Sequence, residues 1–250
     1  MTPIITLLTD FGTADGYVAQ MKGVILSAAP DATLVDVTHD IRAQDVDAAR
    51  LVLDRYWLRF PPGAVHLVVV DPGVGSSRAA LAVAAEGRFL VGPDNGVLSP
   101  ALGGDGARAV ALDIPAGASA TFHGRDVFSP AAAALATGTP LERLGAPHPT
   151  PVIRHTSAPA LQQDGAIVGQ VVTIDRFGNA ITNVPGPLPG YRVWVGAMHL
   201  PVLQTYAEVS PGDPLALTGS SGLIEIAVRE GSAAQRLALT RGMTVVLRRM

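Results

Sequence analysis

The run Val65-His66-Leu67-Val68-Val69-Val70 is apolar but for one histidine, and it stops at Asp71. A run of that length, closed by a turn former, reads as a strand covered on both faces, the condition found inside a parallel α/β sheet. The loop that follows, Asp71-Pro72-Gly73-Val74-Gly75-Ser76-Ser77-Arg78, sets a carboxylate at the sheet rim. Its glycines let a ligand approach the backbone, and an arginine returns within the same loop. In open α/β sheets, ligands bind beyond the carboxyl ends of the strands. The first strand repeats the arrangement, with Pro3-Ile4-Ile5-Thr6-Leu7-Leu8-Thr9 running into Asp10-Phe11-Gly12. One such aspartate alone would read as a helix cap. Two at strand ends beside glycines read as a site.

Strand-like and helical patterns alternate from residue 3 to about residue 140. Asp15 is expected to cap a helix through Leu26, stopped by Pro30, and Asp45 to cap another that carries Val46, Ala49, Leu53 and Trp57 at helical spacing. Strands are expected at 33–38, 65–70, 79–85, 89–91 and 110–112, and a buried helix from Asp126 to Ala136. Such alternation implies a mainly parallel sheet covered by helices. Residues 138–163 are rich in proline and glycine and read as a connection crossing the surface. Beyond Gly165, short β-like runs separated by turns favour a small antiparallel sheet or barrel. The expected division is an N-terminal α/β domain with linker over residues 1–160 and a second domain over residues 161–250.

Bulk properties exclude several classes. A net charge of −3 gives no basic footprint for nucleic acid, and without cysteine there is no disulfide, thiol nucleophile or zinc–thiolate site. No apolar run approaches the ~18 residues of a membrane span, and the N-terminus lacks the basic and small-residue marks of a signal peptide. The expectation is a soluble cytoplasmic protein with no membrane or nucleic-acid partner.

Other polar groups add to the two aspartates. His123, in Thr121-Phe122-His123-Gly124-Arg125-Asp126, precedes a helix and can be a base, an anion contact or a metal ligand. Asp175-Arg176-Phe177-Gly178-Asn179 packs an aromatic, a glycine and an amide into one turn; the asparagine suits a purine edge or an Asx-turn. Thr218-Gly219-Ser220-Ser221-Gly222 precedes the strand carrying Glu225 and could grip a carboxylate or simply close a hairpin. A divalent ion could be held by Asp36, His39, Asp40, Asp71 or His123, although no ligand pair has the usual helical spacing. Dinucleotide, Walker, nucleophile-elbow and zincin motifs are absent. The residues alone point to a two-domain α/β enzyme with a carboxylate–arginine–histidine site for a polar heterocycle.

Taken in order, Thr9–Gly12, Asp71–Gly75 with Arg78, Gly92-Pro93-Asp94-Asn95-Gly96, Thr121–Asp126, Phe177–Asn179 with Thr182-Asn183, and Ser220–Ala227 resemble one family. It is the S-adenosyl-L-methionine (SAM) hydrolases, or SAM hydroxide adenosyltransferases, relatives of the SAM-dependent fluorinase and chlorinase. The resemblance implies an α/β domain followed by an antiparallel β-barrel, assembled as a homotrimer with active sites between subunits. It implies attack of water-derived hydroxide on the ribose C5′ of SAM, with SAM as substrate and no cofactor or metal. Asp71, Arg78 and His123 take the water-activating positions, and Asp10 the ribose diol. The implied substrate contacts further include Asp15, Phe122 and Gly124, then Phe177 and Asn179 at adenine, and Asp175, Ser220, Glu225 and the backbone near Val228 at methionine. Fluorinase-like relatives carry tyrosine at the Asp71 position, threonine at Val74 and Tyr-Ser at His123-Gly124, so the resemblance favours water over halide. The Asp175–Phe177 run is one residue shorter than in the halogenases.

Overall fold

In a computed structural model that describes residues 2–249, the chain divides into two compact units, the first ending at His155 and the second beginning at Thr156. The first is built on strands β1 (Ile4–Thr9), β2 (Thr33–Thr38), β3 (Val65–Val69), β4 (Ala80–Ala85), β5 (Arg88–Pro93), β6 (Arg108–Leu112) and β7 (Gly145–Pro147). Its helices are α1 (Tyr17–Ala28), α2 (Val46–Tyr56), α3 (Ser99–Leu102) and α4 (Ser129–Ala136). The sheet order is β2-β1-β3-β5-β4-β6-β7. Apolar side chains alternate between its faces. Ile5, Leu7, Val65 and Leu67 meet Met21, Ile25 and Ala132 of α1 and α4, whereas Leu8 and Val68 meet Ala49 and Leu53 of α2. Every residue of β3 is buried, which is why its run carries almost no polar side chain.

Only half of the sheet is parallel: β2–β1, β1–β3 and β3–β5 are parallel, and β5–β4, β4–β6 and β6–β7 are antiparallel. The reversal begins at Glu86-Gly87, both at positive φ, the backbone of a two-residue hairpin whose twist matches its strands. Part of the expected surface connection belongs to this sheet, because β7 pairs with β6. Asp45 caps α2 as expected, its carboxylate accepting from Ala48 N at 2.9 Å. Asp15 does not cap α1. Gly16, left-handed at φ 71°, occupies that position, so Asp15 lies one residue too early for its oxygens to reach the first turn. The expected 126–136 helix begins earlier, as a wide π turn over Gly124–Phe128 that continues into α4; Pro130, near the start of α4, has no N–H for a regular turn.

The second unit has strands β8 (Ala160–Leu161), β9 (Ile167–Ile174), β10 (Ala180–Pro185), β11 (Tyr191–Val195), β12 (Met198–Leu203), β13 (Pro214–Thr218), β14 (Leu223–Val228) and β15 (Thr244–Arg249), with one short helix, α5 (Ala233–Arg236). The order β10-β14-β13-β12-β11-β15-β9 closes through a β9–β10 pairing into a seven-stranded barrel, with β8 added outside β9. All its pairings are antiparallel except β12–β13. Val171, Val193, Ala216, Ile226 and Leu247 fill its interior, and closure leaves no exposed edge within the ring.

One polar side chain interrupts β3. His66 is fully buried, with Nδ1 2.9 Å from Thr6 Oγ1 and the rings of Tyr56 and Phe60 5.4 and 5.6 Å away. Burial, reinforced by the Arg88 cation, pushes its pKa from 6.5 down to about 4. The imidazole is therefore neutral in the fold and gains a proton on unfolding in mild acid. Stability is expected to fall as pH drops from 6.5 to about 4, by on the order of 3 kcal/mol in total. Urea denaturation across that interval should show a shallower pH dependence in His66→Leu than in the parent; identical slopes would assign the acid response to other groups.

Candidate active site

Strands β1 and β3 are parallel neighbours, with Thr9 opposite Val69. From β1 the chain leaves through α1 to β2 on one side, and from β3 it leaves toward β4 and β5 on the other. The crevice between them is a topological switch point, where an open sheet offers its ligand site. Asp10 and Asp71 stand at the two strand ends that flank it.

The three residues expected to activate water are in contact. Arg78 Nε donates to Asp71 Oδ1 at 2.9 Å and Nη2 donates to Asp71 Oδ2, a bidentate fork. The same Nη2 lies 3.0 Å from His123 Nδ1. A guanidinium can only donate, so Nδ1 must accept, the ring proton sits on Nε2 and the imidazole is neutral. Burial, then the Arg78 charge, holds the His123 pKa below 6.5, against the opposing pull of Asp71 and Asp126. Arg78 also lies over the Phe128 ring at 5.2 Å, and the side chains of Asp71 and Arg78 are almost entirely covered.

Backbone contacts place this group. Gly75 has φ 76°, and a Cβ there would sit 2.5 Å from Ala120 O, so only glycine lets the Asp71–Arg78 loop close on the segment that carries His123. A Cβ on Gly124 would fit more loosely but still tightly, 3.3 Å from side-chain atoms of Met21, Phe11 and Phe122. Phe11, Tyr17 and Phe122 form a three-ring cluster with centroids 5.3–5.8 Å apart. Asp10 accepts from Gln44 N at 2.7 Å. Asp15 is exposed and takes no part in the Asp71–Arg78–His123 contacts.

The expected residues of the second unit form two groups. Asp175 organises the β9–β10 turn: Oδ1 accepts from Phe177 N and Asn179 N at 2.9 and 2.8 Å, and Oδ2 from Asn179 Nδ2 at 3.0 Å. This is an Asx-turn made by the aspartate, with Asn179 buried and Phe177 76% exposed. Glu225 is buried on β14 and accepts from Tyr206 O–H. Burial and both acids, Glu225 and Asp175, push the Tyr206 phenol well above its usual range, so the two carboxylates share a neighbourhood. A Cβ on Gly219 would meet Glu225 Oε2 at 2.2 Å, so the β13–β14 hairpin, whose tip carries the exposed Ser220, packs directly on that carboxylate. Val228 is buried at the end of β14.

The sequence matches the family model of the SAM hydroxide adenosyltransferase N-terminal domain over residues 5–145 and that of the C-terminal domain over residues 169–246. The chain belongs to the SAM hydroxide adenosyltransferase family. It is 44% identical to a protein of Thermus thermophilus named (R)-S-adenosyl-L-methionine hydrolase, across 99% of this chain and 100% of that one. Identity to a fluorinase of Actinopolyspora mzabensis is lower, 30% across 97% and 96%. The crystal structure of an uncharacterized conserved protein from Thermotoga maritima superposes with a TM-score of 0.90 at 35% identity, covering 98% of this chain and 100% of that one.

Several residues around this adenosyltransferase-family site have roles that the sequence does not disclose. Asn95 Nδ2 donates to Val70 O at 2.9 Å and Asp94 N to Ala79 O at 2.9 Å, so the Pro93–Gly96 loop grips the chain on both sides of the 71–78 loop. In the second unit, by itself, the contact of Tyr206 with Glu225 is equally hidden, and its local signal is the Thr205–Glu208 capping box around it. His39 and Asp36, candidates for a metal, instead meet Thr9 and Lys22. Among the described residues no three His, Cys, Asp or Glu side chains are grouped to hold an ion.

By ¹⁵N NMR, His123 is expected to remain a neutral Nε2–H tautomer below pH 6.5. Arg78→Met removes both the cation and the hydrogen bond to Nδ1 and should raise its pKa. A protonated His123 at neutral pH would contradict the assignment.

Proposed function

We propose that the protein hydrolyses S-adenosyl-L-methionine to adenosine and L-methionine by attack of activated water on ribose C5′. The observation that carries this reading is the Asp71–Arg78–His123 contact at the switch point, in a chain of the SAM hydroxide adenosyltransferase family. As C5′–O forms, C5′–S breaks and its electron pair returns to the methionine sulfur; one water proton is lost. Methionine is a neutral leaving group, so the weak nucleophile is the obstacle. Arg78 occupies one lone pair on each Asp71 oxygen and leaves others to accept from water. Held in this way, Asp71 aligns the water and takes its proton as the bond forms, without first releasing free hydroxide. His123, with Nδ1 engaged and a proton on Nε2, acts as a donor that orients the water and not as the proton acceptor. Covering these side chains from solvent favours a transition state in which nucleophile and sulfonium charges cancel. The reaction as written needs no cofactor.

Asp10 suits the ribose diol, since charge-assisted hydrogen bonds there would hold C5′ in line. The exposed face of Phe177 and the buried amide of Asn179 suit adenine. Glu225 and Asp175, gathered near Tyr206, suit an ammonium group, and the small residues at Ser220 suit a carboxylate. A homotrimer with active sites between subunits, acting in the cytoplasm, completes the reading. A halogenase is disfavoured because the Asp71 carboxylate would repel an incoming halide.

With SAM in ¹⁸O-water, label should appear at the adenosine 5′ oxygen, and added chloride should yield no 5′-chloro product. Asp71→Asn is expected to lower kcat by roughly 10²–10⁴ while SAM still binds. Wild-type turnover by that variant would remove Asp71 as the base, and binding without turnover in the parent would leave a nucleoside-binding protein.

A further inference from the structure

A second polar chain lies beside the switch point, and nothing in the proposed chemistry uses it. Lys22, the sole lysine, has Nζ 2.6 Å from Asp36 Oδ2. Asp36 Oδ1 lies 3.0 Å from His39 Nε2, off the line of an ideal hydrogen bond, and His39 Nδ1 lies 2.8 Å from Thr9 Oγ1. Thr9 Oγ1 in turn accepts from Phe11 N at 3.3 Å. The polarity of the chain follows from its ends. Lys22 can only donate and the Asp36 carboxylate only accepts, so the His39 proton belongs on Nε2, facing Asp36. Nδ1 then accepts the Thr9 hydroxyl proton, and the Thr9 oxygen is free to accept from Phe11.

The segment held by this chain is the turn that carries Asp10. His39 fastens it twice, through its ring to Thr9 and through its carbonyl, which accepts from Gly12 N at 2.8 Å. Five residues on, Gln44 adopts a left-handed φ of 68° and donates its N–H to Asp10 itself. A non-glycine residue in that region carries backbone strain, which the surrounding contacts must sustain. Thr9 and His39 are buried, so neither meets solvent as a nucleophile. The aim of the arrangement is the direction of one carboxylate.

We propose that His39 is a positioning residue, acting through Thr9 and braced by Asp36 and Lys22, that sets the Asp10 carboxylate for two-point capture of a cis-diol. The inference rests on the reading that Asp10 binds the ribose. Its signature is discrimination between sugars, because a tilted carboxylate loses the diol without losing the base.

The test is calorimetric binding of adenosine and 2′-deoxyadenosine to the full chain, with KM and kcat for SAM alongside. Thr9→Val and His39→Leu should weaken adenosine about tenfold and 2′-deoxyadenosine by less than about threefold, raising KM more than they lower kcat. Thr9→Ser, which keeps the hydroxyl, should retain the parent ratio. Asp36→Asn, at a half-exposed position, carries the test should the buried substitutions fail to fold, and should erode the ratio in the same direction. An unchanged ratio in folded His39→Leu, or an equal loss for both nucleosides, overturns the proposal. Asp10→Asn separates the two layers. If it removes the discrimination while the His39 and Thr9 variants keep it, the ribose reading stands and the positioning role falls. If Asp10→Asn leaves the ratio untouched, the ribose reading falls and takes the positioning role with it.

Discussion

The guanidinium of Arg78 holds the first unit's site together because it has five N–H groups and nothing that accepts. Its fork orients Asp71, a third contact sets the tautomer of His123, and its π face rests on Phe128. An ammonium could supply charge at this point but not the planar fork, so the two arms of the site would no longer be fixed by one rigid group. Leaving either Asp71 or Arg78 unpaired in so covered a place would be costly, and this ties the integrity of the loop to the integrity of the chemistry.

That rigid group works only because the backbone brings its partners to it. Gly75 admits Ala120 O where any side chain would collide, and Asn95 and Asp94 hold the chain before and after the 71–78 loop. The Asp10 turn is held by a different set of contacts, through Thr9, His39 and Gln44. The two acids at the switch point are thus braced independently, one by a cation and one mostly by main-chain amides and a buried imidazole.

Much of this can be read from the sequence because it depends on local pattern. The apolar run ending at Asp71, the matching end at Asp10 and the Asp45 cap are decided within a few residues. Asp15 misleads because the cap position is chosen by the left-handed Gly16 beside it, a conformation that spacing does not reveal. The mixed sheet follows from the Glu86-Gly87 hairpin, a two-residue reversal that is easily lost in a long run of alternating elements. His39 and Tyr206 have no role assignable from local pattern, since their partners lie 30 and 19 positions away in the chain. Asp175 reads in sequence as a ligand contact, and the structure adds a duty that spacing does not reveal, shaping the turn around Asn179.

The pairing of β1 with β3 has a consequence for how such a protein can change. Neighbouring strands keep a spacing of about 4.8 Å whatever their side chains, so the anchor points of the acids at the two strand ends are separated by a ruler made of main-chain amides. Under the proposed reaction, replacing the acid at one tip would change what faces the nucleophile and leave the anchor of the other acid in place. Changes around one rim would then leave the gauge between the tips constant.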